Sequence, residues 1–267
     1  MLKKLIHGFF RGFGFDVSRW PSIVNTQIGT PHKTNYLSIS DLEISKDELD
    51  SLNNFRTDRY FWINEYRWRL LLQTGIKFDG MTIFEPGAGV GDQTAWLLQQ
   101  GALNITTGDG REVNNEILKK RFALNSNVTV MKGDLESCLD YPEFQIKRDL
   151  VYCWGVYYHI NDPMPGFPIL KKLALIAPLI VMDFQVSLTG VDYVKKYPRE
   201  DTSASISHGS GRQTMSSMAN AVRENFGYAY FPVEQMNWND PACIGDPRRI
   251  IVGSKTPLKF SGLIEAQ

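Results

Sequence analysis

Met81-Thr82-Ile83-Phe84-Glu85-Pro86-Gly87-Ala88-Gly89-Val90-Gly91 is the stretch on which the reading of the fold turns. Its first four residues are a strand-forming run too short for a helix. An acid, a proline and three alternating glycines come after it. Asp92 then stands where a helix through residues 93–98 would be capped. Strand, glycine turn and helix start make a phosphate- or nucleoside-binding corner of a doubly wound α/β sheet. Glycine serves such a corner because a Cβ would block a tight turn or a close approach to a ligand. The same run also reads as an ordinary turn between strand and helix, so its meaning depends on the acids and strands further along the chain.

The spacing bears on the ligand. The dinucleotide fingerprint is GxGxxG, with a pyrophosphate at a helix N-terminus. Counted from Gly87, its third glycine would fall at position 92, which is Asp92. An acid at the strand end is a poor neighbour for pyrophosphate and suits an ammonium or sulfonium. The stretch resembles motif I of the class I S-adenosylmethionine-dependent methyltransferases, E/DxGxGxG. That resemblance implies S-adenosyl-L-methionine as cofactor, held around Glu85, Gly87, Ala88, Gly89 and Gly91.

Downstream, strands alternate with helices, as a parallel sheet requires. Residues 105–107 lead into Gly108-Asp109-Gly110-Arg111, and a helix is predicted over about 112–123. Asp109 lies 20 residues beyond Gly89, where an acid accepts from ribose hydroxyls or caps the next helix. A third strand over 128–131 is followed by Lys132-Gly133-Asp134-Leu135; in methyltransferases of this class an acid there holds the adenine amine. Three acids after three successive strands are a more specific signal than the glycines. A fourth strand, 150–154, ends in Gly155-Val156-Tyr157-Tyr158-His159-Ile160-Asn161-Asp162-Pro163. This resembles the GVLYHxxDP segment of a branch that includes small-molecule and sugar methyltransferases and a wobble-uridine tRNA-modifying enzyme, with Tyr157 in place of the leucine. The resemblance spans about residues 82–183. It implies a doubly wound, mostly parallel, seven-stranded Rossmann-like methyltransferase sheet with an antiparallel C-terminal hairpin. It also adds Gly110, Arg111, Leu135, Trp154 and Gly155 to the cofactor side.

A helix over about 165–173 and a fifth strand over 179–184 come next. Residues 185–213 then break the pattern as an insertion on the substrate side, carrying His208 and Arg212. A helix over 214–226 precedes two strands, 228–231 and 249–252, expected to pair antiparallel, with a second long loop over 237–247 between them. Upstream, Ser45 and Glu48 read as a capping box. A ring-rich helix over 58–74, closed by Gly75, reads as core or as a cover over the ligand pocket. The organisation expected is an N-terminal helical and loop extension, 1–78, on the cofactor side, and a methyltransferase domain, 79–267. Residues 1–19 mix Lys3, Lys4 and Arg11 with apolar residues at roughly helical spacing. They are interrupted too often for a signal peptide and read as a helix packed on its own domain, or else as a peripheral membrane or partner contact.

Composition narrows the function classes. Lys plus Arg and Asp plus Glu are each 29, so no net basic field points to nucleic acid. Three cysteines at scattered spacings, without a CxxC pair, argue for a reducing, cytoplasmic setting and against a zinc site. Asp162 with Asp183 is too thin a set for any other metal. Methyl transfer needs the reacting atoms held in line and, for a hydroxyl acceptor, a base. His159, just past the fourth strand, is the candidate catalytic residue, since a histidine ordinarily titrates near about 6.5; it also reads as a loop scaffold. Tyr158, His208 and Arg212 are the candidates for holding substrate, Arg212 through a phosphate or carboxylate. The acceptor expected is a small molecule, a sugar or glycan-pathway hydroxyl. Wobble-tRNA modification and an NAD-dependent oxidoreductase on the same sheet are the alternatives.

Overall fold

The computed structural model describes residues 36–133, 135, 139–160, 167–196, 209–235 and 247–266. The chain divides into two compact units, residues 1–32 and 33–267, and the described residues all belong to the second. The helix expected over 1–19 therefore lies outside the described residues, as does most of the loop over 237–247.

Two helices precede the sheet, α1 (Lys46–Asn54) and α2 (Asp58–Gln73). The capping box opens α1 as expected: Ser45 Oγ accepts from the Glu48 N–H, and Glu48 accepts from the Ser45 N–H. Then come β1 (Thr82–Pro86), α3 (Asp92–Gln99), β2 (Asn104–Gly108), α4 (Glu112–Phe122), β3 (Val128–Val130), β4 (Leu150–Cys153), α5 (Pro168–Ile176) and β5 (Leu179–Gln185). Strands β6 (Tyr193–Lys196) and β7 (Gly209–Arg212), helix α6 (Met215–Phe226), then β8 (Tyr228–Pro232), β9 (Arg248–Ser254) and β10 (Leu263–Glu265) complete the described elements.

The main sheet runs β10-β8-β9-β5-β4-β1-β2-β3. Strands β1 to β5 pair in parallel, β9 antiparallel to β5, and β8 antiparallel to β9. This is the expected doubly wound sheet with its antiparallel C-terminal pair, widened from seven strands to eight. The additional strand, β10, pairs antiparallel with β8. Its approach depends on Gly262, where a Cβ would lie 1.9 Å from the Gln73 carbonyl oxygen. Three residues with two apolar side chains give too little pattern to reveal such a strand. The insertion over 185–213 also departs from an irregular reading, since β6 and β7 form a separate antiparallel pair. Its base is tied to β5 by the Ser187 N–H on Gln213 O and the Gln213 N–H on Gln185 O.

Strand alternation sends side chains to two cores. Val151, Cys153, Ile180, Met182 and Ile251 pack with Leu170 and Leu173 of α5 and Val222 and Phe226 of α6. Ile83, Tyr152, Val181, Ile250 and Val252 share the opposite core with Leu70 and Leu71 of α2, Trp96 and Leu97 of α3 and Leu118 and Phe122 of α4. Burial on both faces explains why β4 reads as an unbroken apolar run. Each such aliphatic side chain contributes about 1.5–3 kcal/mol. That reserve lets the carboxyl ends of the strands carry buried polar groups.

Candidate cofactor and acceptor site

The glycine corner forms as a strand-to-helix turn. Gly87 and Gly89 have φ of 69° and 57°, the left-handed region. A Cβ on Gly87 would lie 2.5 Å from Val156 Cβ, and one on Gly89 would lie 2.6 Å from the Phe55 ring. Val156 belongs to the segment after β4 and Phe55 closes α1, so the backbone is approached from both sides. The Ala88 N–H donates to Gly108 O across to β2. Helix α3 starts differently from the expectation. Gly91 is its N-cap, and the Asp92 side chain does not cap it. Asp92 Oδ1 instead accepts from Arg121 at 2.8 Å, because that guanidinium, also bound to Val90 O, reaches the corner from α4.

Glu85 ends β1 with its carboxyl buried. Oε2 accepts from Thr94 Oγ1 at 2.6 Å and Thr107 Oγ1 at 3.1 Å, while Oε1 has no hydrogen-bond partner among the described residues. Burial raises its pKa to about 8, against the lowering effect of the two threonine hydroxyls and Arg121. Once ionised, such a buried carboxylate favours a cationic partner over an anion.

Asp109 follows β2 and is almost wholly buried. Oδ2 accepts from the Gly89 N–H at 3.1 Å; Oδ1 accepts from the Arg111 N–H and Asn114 Nδ2, each at 2.9 Å. The acid thus braces the glycine loop and the entry to α4 together. Oδ2 takes one donor where a carboxylate oxygen can accept two. Gly110 and Arg111 complete the turn, with Arg111 as N-cap of α4. Leu135 is buried in the core on the α5 and α6 side. Asp134 lies outside the described residues.

Beyond β4, Trp154 stacks on Tyr152 with ring centroids 5.5 Å apart. Its Nε1 is buried without a hydrogen-bond partner among the described residues. The Gly155 N–H donates to Asp183 Oδ1 at 2.6 Å. Asp183, on β5, also accepts from Arg67 Nη2 of α2 at 3.0 Å and lies 3.7 Å from Arg248 Nη1 of β9. Helix α2 therefore covers this edge of the sheet with more than rings. Tyr60, Asn64 and Arg67 recur at i, i+4 and i+7, one face of a helix. Gln93 ties that face to α3 and β4: its Nε2 donates to Asn64 Oδ1, and its Oε1 accepts from Trp68 Nε1 and the Tyr152 hydroxyl.

Tyr158 and His159 sit in a 3-10 turn, Tyr157–His159, closed by the His159 N–H on Val156 O. Their rings are 4.4 Å apart, and burial raises the Tyr158 pKa. Arg212 is 1% exposed, on the strand facing that turn, and donates to Gly211 O. His208 lies outside the described residues. The site therefore brings together Glu85, the three glycines, Asp109, Trp154, Gly155, Tyr158 and His159 along the carboxyl ends of β1, β2 and β4. Sequence reading missed Arg67 and Arg248 and weighed Asp183 only as a metal ligand. The available signal was the polar triplet in α2, overshadowed by its aromatic residues. Among the described residues no group of three or more His, Cys, Asp or Glu could hold a metal ion, and no helix is long and apolar enough to cross a membrane.

No protein-family model matches the sequence, and no curated protein does. Solved structures do match. The N-terminal domain of EvdMO1 with SAH bound aligns at a TM-score of 0.55 and 18% identity, over 74% of this chain and 84% of that one. The same domain in the presence of SAH and D-fucose aligns at 0.55 and 18%, over 83% and 90%. A putative S-adenosylmethionine-dependent methyltransferase from Listeria monocytogenes aligns at 0.51 and 13%, over 71% and 98%. At these identities the likeness carries the fold: the chain has the fold of class I S-adenosylmethionine-dependent methyltransferases.

Proposed function

We propose that this chain is an S-adenosylmethionine-dependent methyltransferase acting on a hydroxyl of a small molecule, a sugar or glycan-pathway acceptor, in the cytoplasm. The observation that carries the reading is the buried Glu85 oxygen without a partner among the described residues, beside three glycines at the end of β1. A buried polar atom left without a partner costs about 1–3 kcal/mol. A cationic ligand removes that cost, whereas the pyrophosphate of a nicotinamide cofactor would add repulsion once the carboxyl ionises.

The residues fit the proposed cofactor piece by piece. Glu85 faces its ammonium or sulfonium end. Two buried donors without partners among the described residues, Trp154 Nε1 and Arg67 Nε, suit its carboxylate. Asp109 Oδ2 takes a ribose hydroxyl; the adenine is assigned to Asp134 and Leu135 from the sequence resemblance alone. When bound, the sulfonium supplies an electrophilic methyl group. The chain's part is to align the acceptor and remove its proton, which falls to His159. The D-fucose present with one structural relative and the GVYYH segment both favour a sugar-like acceptor.

Calorimetry tests the cofactor half: micromolar binding of S-adenosylmethionine or its demethylated product is expected, with NAD far weaker. The reverse preference would overturn the reading. Screening candidate sugars with methyl-labelled S-adenosylmethionine tests the acceptor half.

A further inference from the structure

Gln93, the second residue of α3, is buried against α2 and β4. Its Oε1 accepts from Trp68 Nε1 at 2.7 Å and from the Tyr152 hydroxyl at 2.8 Å, and its Nε2 donates to Asn64 Oδ1 at 2.8 Å. An indole nitrogen can only donate. The oxygen of the Gln93 amide must therefore face Trp68, which leaves its nitrogen facing Asn64. Asn64 answers with its own oxygen, so its Nδ2 is turned the other way. That Nδ2 is buried without a hydrogen bond among the described residues, and the same holds for Arg67 Nε, one turn further along α2, and for Trp154 Nε1. The Tyr60 hydroxyl lies beside Asn64 but outside hydrogen-bond geometry with Nδ2. Arg67 Cζ is 5.6 Å from the centroid of the Trp154 ring, and Trp154 stacks on Tyr152. The three side chains thus belong to one contact network around Gln93, and the atom each leaves unpartnered is a donor.

We propose that Gln93 is a positioning residue for the cofactor: oriented by the Trp68 indole, it sets the Asn64 amide so that Asn64, Arg67 and Trp154 offer donors alone to a carboxylate. This rests on the methyltransferase reading and deepens it, since it gives the polarity of the cofactor's amino-acid end to a residue that acts through another side chain. A carboxylate accepts several donors at once, whereas an ammonium accepts none. With the Asn64 amide reversed, its oxygen would meet the carboxylate and repel it. The two ends of an amide are nearly equal in size, so packing does little to prevent that reversal. The bond from Gln93 Nε2 opposes it, and the Trp68 indole in turn fixes which end of Gln93 makes that bond. Charge alone does not make the selection, because the Arg67 guanidinium is already paired with Asp183 at 3.0 Å.

The test compares S-adenosylmethionine with its decarboxylated form, which keeps the sulfonium and the adenosine and lacks only the carboxylate. Calorimetry on the full chain gives the ratio of the two affinities. Wild-type protein is expected to prefer S-adenosylmethionine by about tenfold or more. Gln93→Met keeps the length of the side chain without its amide and should lower that ratio by about fivefold or more. Affinity for the decarboxylated compound should hold, whereas a merely structural role would weaken both. In an Asn64→Leu background, Gln93→Met should leave the ratio where Asn64→Leu alone puts it, because the effect passes through Asn64. Trp68→Phe removes the orienting donor and leaves the Tyr152 hydroxyl on Gln93; it should shift the ratio the same way, and it stands in should Gln93→Met fail to fold. No preference in the wild type, an unchanged ratio in the folded variants, or independent effects of the Gln93 and Asn64 changes would overturn the relay. Binding of neither compound would instead overturn the methyltransferase reading, an outcome distinct from binding of both at an unaltered ratio.

Discussion

Arg67 Nη2 lies 3.0 Å from Asp183 Oδ2, and both side chains are almost fully buried. The pair joins α2, from the segment before the glycine corner, to β5 at the far side of the site. Asp183 Oδ1 simultaneously holds the Gly155 N–H, so one carboxylate positions both the cover helix and the loop that carries Tyr158 and His159. Breaking a buried pair leaves a charge without compensation, at a cost of about 3–5 kcal/mol. Arg67→Met and Asp183→Asn are each expected to lower the urea midpoint accordingly. Arg248, already 3.7 Å away, should soften the loss for Arg67→Met. The double variant should lose less than the sum of the singles. Strict additivity in that cycle would show that the two side chains do not act together.

Glu85 should make cofactor binding release a proton. Its folded-state pKa of about 8 leaves it mostly protonated at neutral pH. A cation seated at Oε1 favours the carboxylate. Calorimetry near pH 7 in buffers of different ionisation enthalpy should then show release approaching about one proton per cofactor bound, and Glu85→Gln should abolish it. The charged groups acting on Glu85 are Arg121, which favours ionisation, and Asp92, which opposes it. Absence of proton release in the wild type would place the cationic end of the cofactor elsewhere.

The same carboxyl predicts a stability slope. An unfolded glutamate ionises near about 4.3, whereas the folded group holds its proton to about 8. Between those values the unfolded chain has released a proton that the folded chain keeps. Rising pH therefore destabilises the fold through this group, and the effect levels off above the folded pKa. Glu85→Gln should flatten that part of the melting-temperature profile. A profile identical to wild type would mean that the buried carboxyl is already ionised.

The legibility of each element in the residues alone tracks its physics. The parallel strands were legible because burial on both faces leaves runs such as Leu150–Cys153. The glycine corner was legible because backbone at positive φ admits few residues other than glycine. Asp109 was placed correctly at the end of β2, yet its bond to the Gly89 N–H is long-range and leaves no local pattern. Arg67, Asp183 and Arg248 lie far apart in sequence and meet only because β9 returns antiparallel to β5 while α2 folds over that edge. Strand β10 escaped notice because its edge position rests on one glycine passing the end of α2.

Asp109→Ala separates bracing from binding. The change strips the acceptor from the Gly89 N–H, the Arg111 N–H and Asn114 Nδ2 at once. A loss of about 1–3 kcal/mol in folding stability is expected from those orphaned donors. Cofactor affinity, measured below the melting transition, should fall by at least about tenfold, since the ribose loses its acceptor and the glycine loop its anchor. A folded variant with unchanged affinity would move the ribose acid elsewhere, to Glu112 first.

His159 offers the sharpest separation of chemistry from architecture. The turn that carries it is closed by its backbone N–H on Val156 O, at 2.8 Å, and that bond survives removal of the imidazole. His159→Ala should therefore keep the fold and nearly all of the cofactor affinity. If the imidazole takes the acceptor's proton, turnover should drop by about 10²–10⁴. Wild-type activity should rise with pH as the imidazole loses its proton, and the variant should lose that rise. Near-normal turnover in His159→Ala with an unaltered pH profile would reduce the histidine to a scaffold for Tyr158 and leave alignment of the acceptor as the chain's contribution to rate.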